Sequence, residues 1–130
     1  MVWCFDDESH PLADATWTFL TVDTAIVPAV WWLEVGNAVL SSQRRQRISK
    51  AASSRFLQRL RLLPIETDQF GSDSVIEEVV DLAEVHSLTS YDAAYLELAI
   101  RQDLPLATLD SSLSRAATGA GVAIFTAGES

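Results

Sequence analysis

The chain has 130 residues, 48% of them hydrophobic, and a formal net charge of −9; that suffices for one domain with its own core, and residues 1–130 are read as one. Cys4 is the single cysteine, which excludes an internal disulfide and a cysteine-based zinc site and points to a reducing, cytoplasmic location. No run nears the roughly 18 apolar residues of a membrane span, the opening Met1 to Glu8 lacks a basic secretion-signal start, and the acidic balance argues against a broad nucleic-acid-binding surface.

Ser9-His10-Pro11 reads as a cap and early-turn proline, followed by an amphipathic helix carrying Leu12, Ala15, Phe19 and Leu20. Ala25 to Pro28 is a short buried strand. Ala29 to about Arg47 is a long apolar helix whose Arg-rich end suits a helix C-terminus. Ser49 caps a further helix with Phe56, Leu57, Leu60 and Leu63. Seven of the nine basic residues (Arg44, Arg45, Arg47, Lys50, Arg55, Arg59, Arg61) fall in this stretch, as a solvated helical face or as a local contact for phosphate or an acidic partner.

Pro64 to Thr67 reads as an edge strand. Val75, Ile76, Val79, Val80 and Ala83 recur at helical spacing up to His86. A helix then starts at Thr89-Ser90-Tyr91-Asp92 and carries Ala93, Tyr95, Leu96, Leu98 and Ile100. Pro105 to Leu109 is a strand, Asp110 opens a short helix closed by Gly119 and Gly121, and Val122 to Phe125 is a last strand. Strands alternating with helices, and apolar enough to be covered on both faces, predict a parallel α/β sheet.

Three acids stand out. Glu34 lies in AVWWLEVGNAVL, a segment apolar nearly all round and therefore expected to be buried. An unpaired buried carboxylate is costly, so Glu34 is a functional or metal-binding residue, or else reaches a solvent window or an arginine. Asp92 is a second acid among apolar neighbours, but Thr89-x-x-Asp92 also resembles a capping box. Asp110 is an equally good N-cap, yet it directly follows an apolar strand, where parallel sheets place their ligands. If the three meet, like charges so close imply a cation. Carboxylates without Cys or a well-placed His suit Mg²⁺ or Mn²⁺, and such a site suits phosphodiester hydrolysis. His10 and His86 pair with no nucleophile and are read as surface residues, Trp31 and Trp32 as core or dimer-interface residues. The nucleotide-binding loops G-x-x-x-x-G-K-[ST] and G-x-G-x-x-G are not present.

Four stretches together resemble the PIN-domain proteins, specifically VapC-type toxins of toxin–antitoxin pairs: Trp3 to Glu8, Val27-Pro28 through Leu33 to Leu40, Leu88 to Ala99, and Leu104 to Asp110. The resemblance implies a three-layer α/β/α domain and Mg²⁺-dependent endoribonuclease activity, with Mn²⁺ as a substitute. It also implies an RNA substrate, homodimerisation and inhibition by a small antitoxin. It places family acids at Glu34, Asp92 and Asp110, with Thr108 beside them as a hydroxyl that helps to position water.

The family's first strand, central in its sheet and ending in a metal-ligating aspartate, is expected to fall before Met1 and to be missing here. Asp6, Asp7 and Glu8 correspond to loop acids after that strand. Two functions from different classes follow: a metal-dependent ribonuclease toxin, or a catalytically inactive module that only binds its antitoxin or dimerises. A phosphoacceptor receiver domain is disfavoured because the one lysine, Lys50, is far from the last strands.

Overall fold

The structure is a computed structural model that describes residues 2–3, 24–69, 73–108 and 110–125. Its elements are β1 (Val2–Trp3), β2 (Ala25–Pro28), α1 (Val30–Arg44), α2 (Lys50–Leu62), β3 (Ile65–Asp68), α3 (Asp73–His86), α4 (Ser90–Gln102), β4 (Leu106–Ala107) and α5 (Ser111–Gly119). The sheet order is β3-β2-β1-β4, with every pairing parallel. The expected helix over Leu12 to Leu20, and with it His10, lies outside the described residues.

One expectation about the sheet needs correction. Its middle position, assigned above to a strand before Met1, is held by Val2–Trp3, with Val2 opposite both Ile26 and Leu106 and Trp3 opposite Ala107. Two strands flanking a gap would leave inward backbone groups unpaired, and a two-residue strand in the gap pairs with both neighbours. At the far end, the strand expected at Val122 to Phe125 is reduced to one parallel bridge between Leu106 and Ile124. The Leu106 N–H donates to the Ala123 carbonyl and the Phe125 N–H to the Leu106 carbonyl.

Helix α1 corrects a second expectation. It buries one stripe, Trp31, Val35 and Val39, while Leu33 is 71% exposed. The segment is thus apolar on a face that the described residues do not cover, and Glu34 sits half-buried at the stripe's edge. Helix α2 starts as expected, the Ser49 side chain accepting from the Ala52 N–H, and buries Leu60. Helix α4 is the element around which the others pack, since seven consecutive residues, Ala93 to Ala99, are all buried. Its neighbours include Leu106, Leu113, Ala117, Val27 and Trp31 in one core cluster, and Val79 of α3 in another that contains Ala93 and Ala94. No helix among the described residues is long and apolar enough to cross a membrane.

Four of the five described helices, all but α2, end with one device. The residue after the last turn is left-handed at Gln46, Ser87, Asp103 and Gly121. The next N–H then reaches back five residues, from Arg47 to Ser42, Leu88 to Ala83, Leu104 to Ala99 and Val122 to Ala117. This satisfies carbonyls that the helix itself leaves free.

Candidate metal site

Two of the three acids, Glu34 and Asp110, are delivered by elements that leave the sheet in the same sense. Because β2 and β4 are parallel members of one sheet, the helix after β2 and the helix after β4 both begin at its carboxyl edge. Glu34 stands early in α1, and Asp110 is the residue before α5. Asp92 is in the first turn of α4, its N–H donating to the Thr89 hydroxyl at 3.1 Å. The capping half of the Thr89-x-x-Asp92 reading therefore holds for Thr89, while the Asp92 carboxylate faces other acids.

Tyr95 lies one turn beyond Asp92, on the same side of α4. It is fully buried, and its hydroxyl donates to Oε1 of Glu34. Burial pushes the Glu34 carboxyl above its ordinary pKa, the Tyr95 bond opposes that rise, and the negative charge of Asp92 adds to it. Asp92 is likewise pushed up, first by burial and then by Asp110. The three acids form a chain of neighbours, Glu34 to Asp92 to Asp110, in which each step is a repulsion that a cation would relieve.

Asp110 has a structural task as well: its Oδ2 accepts from the Leu113 N–H at 2.7 Å and caps α5. Thr108 is 5% exposed, and its hydroxyl oxygen accepts from the Asp110 N–H at 3.0 Å. The residue expected to position water thus first positions the backbone of Asp110. Asp6, Asp7 and Glu8 lie outside the described residues.

Among the described residues no three His, Cys, Asp or Glu side chains are gathered closely enough to hold a metal ion by themselves. The donors present are carboxylates separated pairwise, which do not fit a closed protein cage. They fit a hard cation held in the open manner of Mg²⁺, which keeps several waters and takes one or two carboxylates together with substrate phosphate oxygens. Glu34, Asp92 and Asp110 are the residues that would hold it.

Two features escaped the sequence reading. Tyr95 looks like one more core aromatic among apolar neighbours, and its only signal was the three-residue spacing from Asp92. The other is an ion-pair knot at the far end of α4. Arg101 donates through Nε to Glu97 Oε2 at 2.8 Å, and through its terminal nitrogens to Asp68 at 2.7 and 3.0 Å. The Glu97–Arg101 spacing of four residues was visible; the link to Asp68 was not. The basic stretch is fully displayed, since Arg44, Arg45, Arg47, Lys50, Arg55, Arg59 and Arg61 are all exposed.

Comparison with known proteins gives these arrangements a context. The PIN domain family profile matches residues 1–119. Exonuclease VapC9 of Pyrobaculum aerophilum is 33% identical over 87 residues, which make up 67% of this chain and 62% of that protein. The chain thus spans less than two thirds of that relative's length. The crystal structure of PAE2754 from the same organism superposes with a TM-score of 0.70 at 25% identity, covering 88% of this chain and 82% of the other. FitAcB from Neisseria gonorrhoeae superposes with a TM-score of 0.60 over 97% of both chains, a likeness of fold alone at 16% identity.

Proposed function

The chain belongs to the PIN-domain family, and from that premise we propose that it is a Mg²⁺-dependent ribonuclease serving as the toxin of a toxin–antitoxin pair. The observation that carries this reading is the repulsive chain Glu34, Asp92, Asp110 beyond the strand ends, at the positions where the resemblance puts the family's acids. Such a cluster is poorly explained by stability, since its members raise one another's energy when ionised.

In this mechanism Glu34, Asp92 and Asp110 would hold the cation. Thr108 fixes the turn from which Asp110 projects. A bound Mg²⁺ would supply charge stabilisation at the phosphoryl group and ease deprotonation of the attacking water. The exposed arginines of α1 and α2 offer phosphate contacts that the otherwise acidic surface lacks. An antitoxin and a second copy of the chain are the proposed protein partners.

A relative named as an exonuclease leaves the mode of attack to be measured. Purified chain should degrade end-labelled linear RNA with Mg²⁺ or Mn²⁺ and not with chelator, and cleavage of a circular RNA shows attack at internal bonds. A second reading, the inactive antitoxin-binding module, is favoured by the want of a closed three-ligand cluster among the described residues. It predicts no cleavage of either RNA with any divalent ion.

A further inference from the structure

Tyr95 is wholly buried, and its hydroxyl crosses from α4 to Oε1 of Glu34 in α1, 61 residues away in sequence. A buried phenol needs a hydrogen-bond partner, but a backbone carbonyl would serve the core equally well. Choosing a carboxylate that already faces another acid has two effects on that carboxylate. It fixes the orientation of the group, and it engages one of its two oxygens. A carboxylate with both oxygens open can grip a cation through both, a mode that suits large, flexibly coordinated Ca²⁺. One with an oxygen engaged offers the other alone, which suits the small octahedral shell of Mg²⁺.

We propose that Tyr95 is a positioning residue for the metal site: by holding Oε1 of Glu34 it leaves Oε2 as the donor and sets the site's preference for small divalent ions over Ca²⁺. The proposal rests on the metal-dependent reading above. It adds a residue and a selectivity that the acids alone do not supply.

The test is binding rather than turnover. Mn²⁺ affinity is followed by loss of the free-ion electron paramagnetic resonance signal, with Ca²⁺ as competitor, on the full chain, Tyr95→Phe and Glu34→Gln. Tyr95→Phe should bind Mn²⁺ about 10-fold more weakly and Ca²⁺ no more weakly than the parent, so its preference for the smaller ion falls by about the same factor. An unchanged preference in Tyr95→Phe, with Glu34→Gln impaired, overturns the proposal and leaves Tyr95 as packing. Parent-like Mn²⁺ binding by Glu34→Gln overturns the metal-site reading itself. The infrared carboxylate bands of the parent, assigned to Glu34 by difference against Glu34→Gln, give a readout that requires no variant at position 95. With Mg²⁺ they should show the wide splitting of one-oxygen coordination; the narrow splitting of two-oxygen coordination overturns the proposal.

Discussion

Helix α4 carries two acids withdrawn from solvent, and they meet opposite surroundings. Glu97, 7% exposed, is gripped by Arg101, whose remaining donors close on Asp68 at the end of β3. The guanidinium is held more firmly protonated by its bond to Glu97, and next by its bond to Asp68. Asp92, nearer the start of the same helix, feels another acid, Asp110, as does Glu34 feel Asp92. Charge neutralised within the protein is what a structural carboxylate requires. Charge left facing like charge destabilises the fold unless something from outside neutralises it, and that contrast separates a brace from a site more sharply than residue type does.

The largest effect should come from the unneutralised end. Asp92→Asn keeps shape and removes one negative charge, so cleavage in Mg²⁺ should fall by about 100-fold or more, while the metal-free protein melts no lower than the parent. A clear loss of melting temperature would mean that Asp92 acts chiefly on the dipole and cap of α4, and the contrast between the two ends would fail.

The neutralised end should behave in reverse. Arg101→Leu strands Glu97 and Asp68 together without their cation, and denaturant unfolding at pH 7 should show a loss of about 2 kcal/mol. The figure allows for the Arg101 side chain being one-third exposed. Mg²⁺ binding should be untouched. If Arg101→Leu weakened the metal as much as the fold, the two ends would be one coupled unit.

Stability against pH probes the same contrast without mutation. The raised pKa values of Glu34 and Asp92 mean that the native state keeps protons which the unfolded chain has already released. Stability of the metal-free protein therefore falls as pH climbs from the ordinary carboxylate range through those raised values, and is lower above them. Saturating Mg²⁺ or Mn²⁺ should remove most of that fall, and Asp92→Asn part of it. A thermal melt series from pH 4 to 8 with and without the ion reads it directly, the opposite slope counting against the acid cluster.

Much of this was legible from periodicity. The strand at Ala25 to Pro28, the helix carrying Leu96 and Leu98, and the placement of Asp110 beyond a strand each follow from local pattern, and local pattern is what a parallel sheet repeats. The Arg101–Asp68 pair spans 33 residues, and no spacing rule reaches that far. Tyr95 was hidden by its own neighbours, because a hydroxyl at the end of a ring does not disturb an apolar run. Val2–Trp3 is too short for any alternation to show. Leu33, Leu40 and Leu57 misled in the other direction: they read as core, yet they lie on helix faces that are exposed.

The smallest prediction supplies the scale for the others, at a place remote from charge. Ser87 follows α3 with φ of 54°, and the Leu88 N–H behind it bonds the Ala83 carbonyl, the same arrangement that Gly121 makes with φ of 80°. A side chain in the left-handed region is strained by contact between its Cβ and the backbone, and glycine escapes that contact at some cost in unfolded-state entropy. Ser87→Gly should therefore stabilise by roughly 0.5–1 kcal/mol, and Gln46→Gly by as much. Asp103→Gly should give less, since a short polar side chain tolerates this conformation better. Neither carboxylate end should respond: Mg²⁺ affinity, cleavage and the pH slope stay at parent values in Ser87→Gly. A change in any of them would show that added stability alone moves those readouts, and that the effects at Asp92 and Arg101 must be corrected for it before the two ends are compared.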